Sequence, residues 1–428
     1  MRYSLGVDTD EPVNQTPQRR GRPPSAPLEV SDLQGFKFFQ RMDGLLNALH
    51  ASAPHRNRLL HFDAYAKAVL FYFFNPAITS LRGLQRATGF EKVQKALGIR
   101  RMSLGSMSES VRVFDPELLQ KVFQDLAERA PERPHDPRLK NLRQVLTVVD
   151  GTLLPALPRM TWAVWLGDRQ RGVRAHVQFE VRKETAVRVN FTPGAGAENE
   201  CLKAHLEPGR LYVMDRGFRD FALYQKIVDA GSSFVARLGQ NAVYEVLEEK
   251  PLTPEAKGAG VISDRIVRLG GELVRNKFDR PVRLVDVHVP ESAPRGLAYP
   301  VKQVDPKTKS CRVPAGQAMT VLVATDRLDL PADVIALIYK HRYPVELFFR
   351  LLKATLSCRH LLSDSMEGIQ VQVYCVLIAA LLLAEYTGLA PSKRTFELVT
   401  LYLQGWVLDH ELIRDITRLQ QQAVSKKT

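Results

Sequence analysis

Over the first thirty residues the apolar positions follow no period, and Pro, Arg, Gln and Ser dominate, so residues 1–30 read as a disordered tail. Helical spacing begins beyond it. Phe36, Phe39, Met42, Leu45 and Leu49 recur at the interval of one helix face within Leu33–Ala51. Phe62–Phe74 is densely apolar. Thr79 or Ser80 can cap a helix from Leu81 to Thr88 that Gly89 ends, and Glu91–Leu97 and Asp115–Arg129 extend the pattern. Residues 31–140 are therefore predicted to be all-helical.

At residue 141 the period changes. Gln144–Val149 and Leu211–Met214 are short unbroken apolar runs between polar residues, the pattern of buried strands. Trp162–Leu166, His176–Arg182, Ala186–Phe191 and Phe234–Leu238 read as further strands, with helices at Glu198–His205 and Phe221–Ala230. From 239 to about 320, alternating and β-branched runs such as IVRLGGELVR and MTVLVATD point to a mainly β insertion. Helical spacing returns over Ala332–Leu356, Ile369–Tyr386 and Phe396–Gln420. The fold class is thus α/β, with a mainly β insertion and N- and C-terminal helical regions. The run from Val373 to Ala384 holds about a dozen apolar residues, short of the roughly 20 that span a bilayer, so a buried core helix and no membrane partner are expected.

Charge narrows the partner. Sixty Lys and Arg against 46 Asp and Glu give a net charge of +14, which favours a polyanion. Arg82, Arg86, Lys92, Lys95, Arg100 and Arg101 crowd the short helices of 31–140, which suits either a DNA-binding unit or a helical cap on a catalytic domain. In the tail, Arg20-Gly21-Arg22-Pro23 resembles the core of an AT-hook, whose two arginines fit the negative potential of a narrow minor groove. The four cysteines, Cys201, Cys311, Cys358 and Cys375, have no CxxC spacing, which argues against zinc or disulfides and fits a reducing cytosol. The N-terminus lacks the apolar stretch of a secretory signal.

Two of the buried runs close on an acid: QVLTVV leads into Asp150-Gly151-Thr152, and LYVM into Asp215-Arg216-Gly217-Phe218. A carboxylate at the end of a core strand projects from a rigid base into the crevice where such folds do chemistry. Taken alone, either aspartate could simply cap the next helix. A third acid, Glu346, stands in the Ala332–Leu356 pattern. At about 100° per residue, Tyr339, Arg342, Glu346 and Lys353 share a sector of about 60°, apart from the apolar stripe of that helix. Three acids from distant parts of the chain suit a pair of hard divalent ions, which activate water and stabilise a leaving oxygen in phosphodiester hydrolysis.

Tyr339, Arg342, Glu346 and Lys353 form Y-x2-R-x3-E-x6-K, which resembles the YREK signature of DDE insertion-sequence transposases of the IS-four type. The surroundings of Asp150 and Asp215 are similar to that family too, and Glu346 follows Asp215 by 131 positions, a gap in which the family carries its β insertion. The resemblance implies a ribonuclease-H-like catalytic domain in two parts, 141–238 and 323–390, interrupted by the β-rich 239–322. It also implies a helical DNA-binding domain at 31–140 and a C-terminal helical region at 391–428 as a candidate dimerisation element. Asp150, Asp215 and Glu346 would be catalytic and would hold two Mg²⁺ or Mn²⁺ ions. Tyr339, Arg342, Lys353 and Arg237 would contact DNA. The implied partners are double-stranded DNA, as terminal inverted repeats and target, and a second copy of the chain, in the bacterial cytosol at the nucleoid. The implied reaction is cleavage of transposon ends and joining of the 3′-OH ends to target; a nuclease of the same fold or an inactive DNA-binding derivative are the alternatives. A base-flipping aromatic is expected in the insertion, with Tyr244, Phe278 and Tyr299 as candidates. Pro344, between Arg342 and Glu346, requires either a kinked helix or a new helix that starts there.

Overall fold

The computed structural model describes residues 44–425, apart from 48, 53–57, 76, 134, 156–171, 194–197, 240–241, 272–277, 279, 290–302, 305–310, 313–318, 358–361 and 364. The tail with its Arg20–Pro23 segment, most of the Leu33–Ala51 helix, the Trp162–Leu166 strand and Tyr299 lie outside the described residues.

Among the described residues, the helices before the sheet include α1 (Phe62–Phe73), α2 (Leu81–Ala87), α3 (Glu91–Leu97), α4 (Leu104–Val113) and α5 (Pro116–Arg129). Local chemistry fixes their starts. Ser80 caps α2 by accepting the Gly83 N–H at 3.1 Å, Ser103 caps α4 from Ser106 at 3.0 Å, and Asp115 caps α5 with Pro116 in its first turn. Helix α4 lies within the region predicted to be helical but was not singled out there; its run LGSMSESVRV has few apolar residues, and Ser103 caps its start.

The centre is a mixed nine-stranded sheet of β1 (Val145–Pro155), β2 (Gly172–Glu180), β3 (Thr185–Pro193), β4 (Arg210–Met214), β5 (Ser233–Leu238), β6 (Tyr244–Glu249), β7 (Val261–Leu269), β8 (Pro281–Val289) and β11 (Met319–Thr325), in the order β3-β2-β1-β4-β5-β11-β8-β7-β6. Strands β9 (Gln303–Val304) and β10 (Cys311–Arg312) pair separately. Of the described neighbouring pairs in this sheet, β1–β4 and β4–β5 are parallel and the rest antiparallel. Parallel strands are covered on both faces, and β5 is buried along its whole length. Apart from the β9–β10 pair, the described strands of 239–322 do not build a sheet of their own. β11 pairs with β5 on one side and β8 on the other, so β8, β7 and β6 continue the sheet that carries both aspartates.

Helices cover both faces. On one lie α6 (Glu198–Ala204) and α7 (Phe221–Asp229), whose Leu202, Leu223, Tyr224 and Ile227 pack on Val149, Met214, Phe234 and Ala236. On the other, α9 (Ala332–Lys340), α10 (Tyr343–Ser357) and α11 (Met366–Thr387) join α1, α4 and α5 over Val148, Ala175, Val177 and Val213. The short helix α8 (Pro254–Gly258) leads into β7, and α12 (Lys393–Leu403) and α13 (Asp409–Ser425) end the chain. Helix α11 is long and apolar enough to cross a membrane, yet 83% of its most apolar stretch is buried inside the fold. There it packs on α1, α4, α5, α10 and α12. The single pattern expected over Phe396–Gln420 is broken at Gly405, where φ is +83°.

Candidate active site

The parallel ladder of β1 and β4 runs in register to Val149 opposite Met214 and stops. The next residues are Asp150 and Asp215, so the register sets two carboxylates side by side at the carboxyl end of the parallel pair, where α/β sheets open into a crevice. Both strands were expected to end at their acid, and only β4 does. β1 continues to Pro155 with β2 as its partner, Asp150 lying opposite Val177. Each aspartate is hooked to the turn that follows it: Asp150 Oδ1 accepts the Gly151 N–H at 2.8 Å, and Asp215 Oδ1 accepts the Gly217 N–H at 2.7 Å.

Glu346 arrives from the far end of the chain. The helix expected over Ala332–Leu356 is two helices, α9 and α10, separated at His341 and Arg342. Pro344 falls in the first turn of α10, where a missing N–H leaves no intrahelical bond unmade; in a continuous helix its ring would meet the Lys340 carbonyl. The four signature residues therefore do not share one helix face. Tyr339 is in the last turn of α9. Arg342 is in the connection, its N–H on the Tyr339 carbonyl at 3.0 Å. Glu346 is in the first turn of α10, and Lys353 lies about two turns further on, exposed.

Arg342 nevertheless gathers the acids. Its guanidinium is buried, donates to Asp150 Oδ2 at 3.2 Å through Nη1, and donates to Glu346 Oε1 through Nη2. Burial works against its charge, but Tyr339, Asp150, Glu346 and Asp215 together outweigh that and hold it above the ordinary range. Burial pushes the Asp150 carboxyl up to about 7; Arg342 and the Gly151 N–H pull it down, and Asp215 and Glu198 push it further up. Tyr339 is raised by burial, with Arg342 and Arg237 pulling the other way. Arg237 itself is buried on β5, beside Tyr339 and opposite Val323 of β11. Three of the four expected DNA-contacting residues, Tyr339, Arg342 and Arg237, thus cluster at the acids, and Lys353 stands apart along α10.

One acid went unremarked as a site residue in the sequence. Glu198, the first residue of α6, lines the same cleft as Asp150 with His176, Leu202 and Phe218, and pairs with Arg174 of β2. No spacing rule reveals it. The signal is the glycine one or two residues after each aspartate, Gly151 and Gly217, and it becomes meaningful only when these are placed together with Glu198. Of the aromatic candidates in the insertion, Phe278 is packed in the core against Tyr224 and Phe234, while Tyr244 lies on the edge strand β6 with Arg265 over its ring.

The site is a mixed α/β sheet with acids at the carboxyl end of its parallel strands and a third acid brought in on a late helix. Residues 141–382, more than half of the chain, match the family described as "Transposase DDE domain", and the chain belongs to that family. It is 26% identical over 243 residues, 56% of its length, to a Sinorhizobium fredii protein described as "Putative transposase y4zB", and the match spans 60% of that relative's length. A cryo-electron-microscopy structure of the piggyBac transposase synaptic complex with hairpin DNA overlays 92% of this chain and 82% of its own at 11% identity and a TM-score of 0.39, a likeness too slight to carry an argument here.

Proposed function

We propose that the chain is a DDE transposase of the IS-four type that cleaves the inverted-repeat ends of an insertion sequence and joins the 3′-OH ends to target DNA, acting as a dimer in the bacterial cytosol. The observation that carries this reading is the convergence of Asp150, Asp215 and Glu346, from three distant segments, around one buried arginine. The five strands β3-β2-β1-β4-β5, with β1, β4 and β5 parallel, support a ribonuclease-H-like core.

The donor set fits hard divalent ions such as Mg²⁺ or Mn²⁺, which prefer carboxylate oxygens. Burial and the nearby acids Asp215 and Glu198 disfavour the charge on Asp150, and a cation would favour it. Among the described residues, the acids do not close as three or more around a single point. Asp150, Asp215 and Glu346 would hold the ions, which when bound supply an activated water and stabilise the leaving oxygen. The chain's own residues do the rest. The parallel ladder fixes the spacing of the aspartates. Arg342 aligns Asp150 with Glu346 and, with Tyr339 and Arg237, presents donors to a phosphate. Lys353, exposed on α10, extends that positive face along the DNA backbone.

The test is Glu346→Gln on a duplex bearing the element's terminal repeat. Cleavage should fall to background with end binding retained; cutting at the wild-type rate sinks the assignment. Joining of the 3′-OH ends to a target plasmid by the wild-type protein separates a transposase from a nuclease of the same fold.

A further inference from the structure

Glu198 stands where it touches both aspartate turns. A Cβ built on Gly151 would run into the Glu198 carboxylate, meeting its Cδ at 3.0 Å, and one built on Gly217 would lie 3.3 Å from its Oε2 and 3.0 Å from Asp215 Oδ1. One carboxylate therefore fills the space over two glycines, Oε1 against Gly151 and Oε2 against Gly217. Those glycines belong to the turns that bind Oδ1 of Asp150 and of Asp215. Gly151 has no positive φ, so the backbone does not demand glycine there, and the crowding by Glu198 is what leaves no room for a side chain.

The carboxylate is itself held. Arg174 on β2 donates to Glu198 Oε1, and both side chains are largely shielded, at 28% and 18% exposure. Arg174 is opposite Leu153 on the overhanging part of β1, so its position follows from the strand that carries Asp150. Helix α6 is anchored from below by buried Leu202 and packs against the turn Arg216–Phe218.

We infer that Glu198 is a positioning residue for the two-aspartate site: clamped by Arg174, it braces the Gly151 and Gly217 turns and so fixes the side chains of Asp150 and Asp215 relative to each other. The inference rests on the proposed divalent-ion role of those aspartates. Groups that orient metal-binding side chains typically change metal affinity by about 10- to 100-fold when removed.

The probe is Mn²⁺ alone, titrated into the full-length protein and read as loss of the free-ion electron paramagnetic resonance signal, with thermal melting of each metal-free variant as the fold control. Asp150→Asn should remove most of the binding; if it does not, the underlying reading fails, and the brace with it. With that satisfied, Glu198→Ala should weaken Mn²⁺ binding by about tenfold or more with the metal-free melting curve unchanged. Glu198→Gln, which keeps the length but loses the charge held by Arg174, should fall between wild type and Glu198→Ala. Gly151→Ala should weaken binding as Glu198→Ala does, because its methyl displaces the carboxylate, and the double variant should be no worse than either single one. Wild-type Mn²⁺ affinity in Glu198→Ala, or additive losses in the double variant, overturns the brace while leaving the aspartate assignment standing. Should Glu198→Ala melt early, the Gly151→Ala pairing with Glu198→Gln decides by the same additivity criterion.

Discussion

Two arginines are buried against aspartates in this sheet, and they are built to opposite plans. Arg283 of β8 gives Nε to Asp264 Oδ1 at 2.8 Å and Nη2 to Asp264 Oδ2 at 2.5 Å, and Nη1 to the carbonyls of Leu328 and Leu330. Both carboxylate oxygens and both terminal nitrogens are used, so the pair locks the insertion strands to the loop that enters α9. Arg342 divides itself between Asp150 and Glu346, each through a single nitrogen. Its Nε is buried without a hydrogen-bond partner among the described residues, and two further acids, Asp215 and Glu198, bear on Asp150. A saturated pair is a fastening. An arginine shared among too many acids leaves capacity for something else to bind, and that difference separates the candidate active site from the brace a few strands away.

The contrast can be broken by measurement. The largest effect is expected at the fastening: Arg283→Ala strands Asp264 in the core and should cost about 3–5 kcal/mol in urea unfolding; a cost near zero would mean that the pair is not load-sharing at all. Next is a pH effect. The folded Asp150 carboxyl titrates near 7 and the unfolded one near its ordinary 3.8. Between those values the folded state holds the extra proton, so wild-type stability falls as pH rises from about 4 to about 7 and then levels off. Asp150→Asn lacks this slope, so its stability relative to the wild type should rise across that window; parallel pH–stability curves for the two proteins would contradict it. Arg342→Ala should cost less than Arg283→Ala, about 1–2 kcal/mol at pH 6, because Asp150 already holds its proton at that pH, whereas Asp264 loses every partner its guanidinium gave it. Equal losses at the two arginines would erase the distinction. Smallest is the exposed Glu91–Lys95 pair on α3, where Lys95→Ala should change stability by less than about 0.5 kcal/mol and sets the floor for reading the others.

What the sequence made legible was local. Apolar runs that close on Asp150 and Asp215 marked two strands and their acids, because a buried parallel strand has few ways to be written. Pro344 announced an interruption, either a kink or a new helix start, because its ring clashes with the carbonyl four residues back in a straight helix. The pairing of distant strands was not legible. Nothing in MTVLVAT says that β11 lies between β5 and β8 and so merges the insertion with the main sheet, since period and propensity carry no partner information. The sector shared by Tyr339, Arg342, Glu346 and Lys353 assumed one unbroken helix, and the residues meet, where they do, across a bend instead. Glu198 was hidden for a third reason: its evidence is that its carboxylate fills the space over two glycines, a contact that exists only in three dimensions.

Helix α11 sets an order of events for the chain as it is made. Its 22 residues begin at Met366, yet the helices it packs against include α1, α4 and α5, all complete by residue 129. The first helices to leave the ribosome must therefore wait for more than half of the protein to be synthesised before their apolar faces are covered, and contacts that span such distances form slowly. Until α11 docks, both sides of that future core are open to solvent, to chaperones and to other copies of the chain. The helix that most resembles a membrane span is in this sense the keystone that the N-terminal helices wait for.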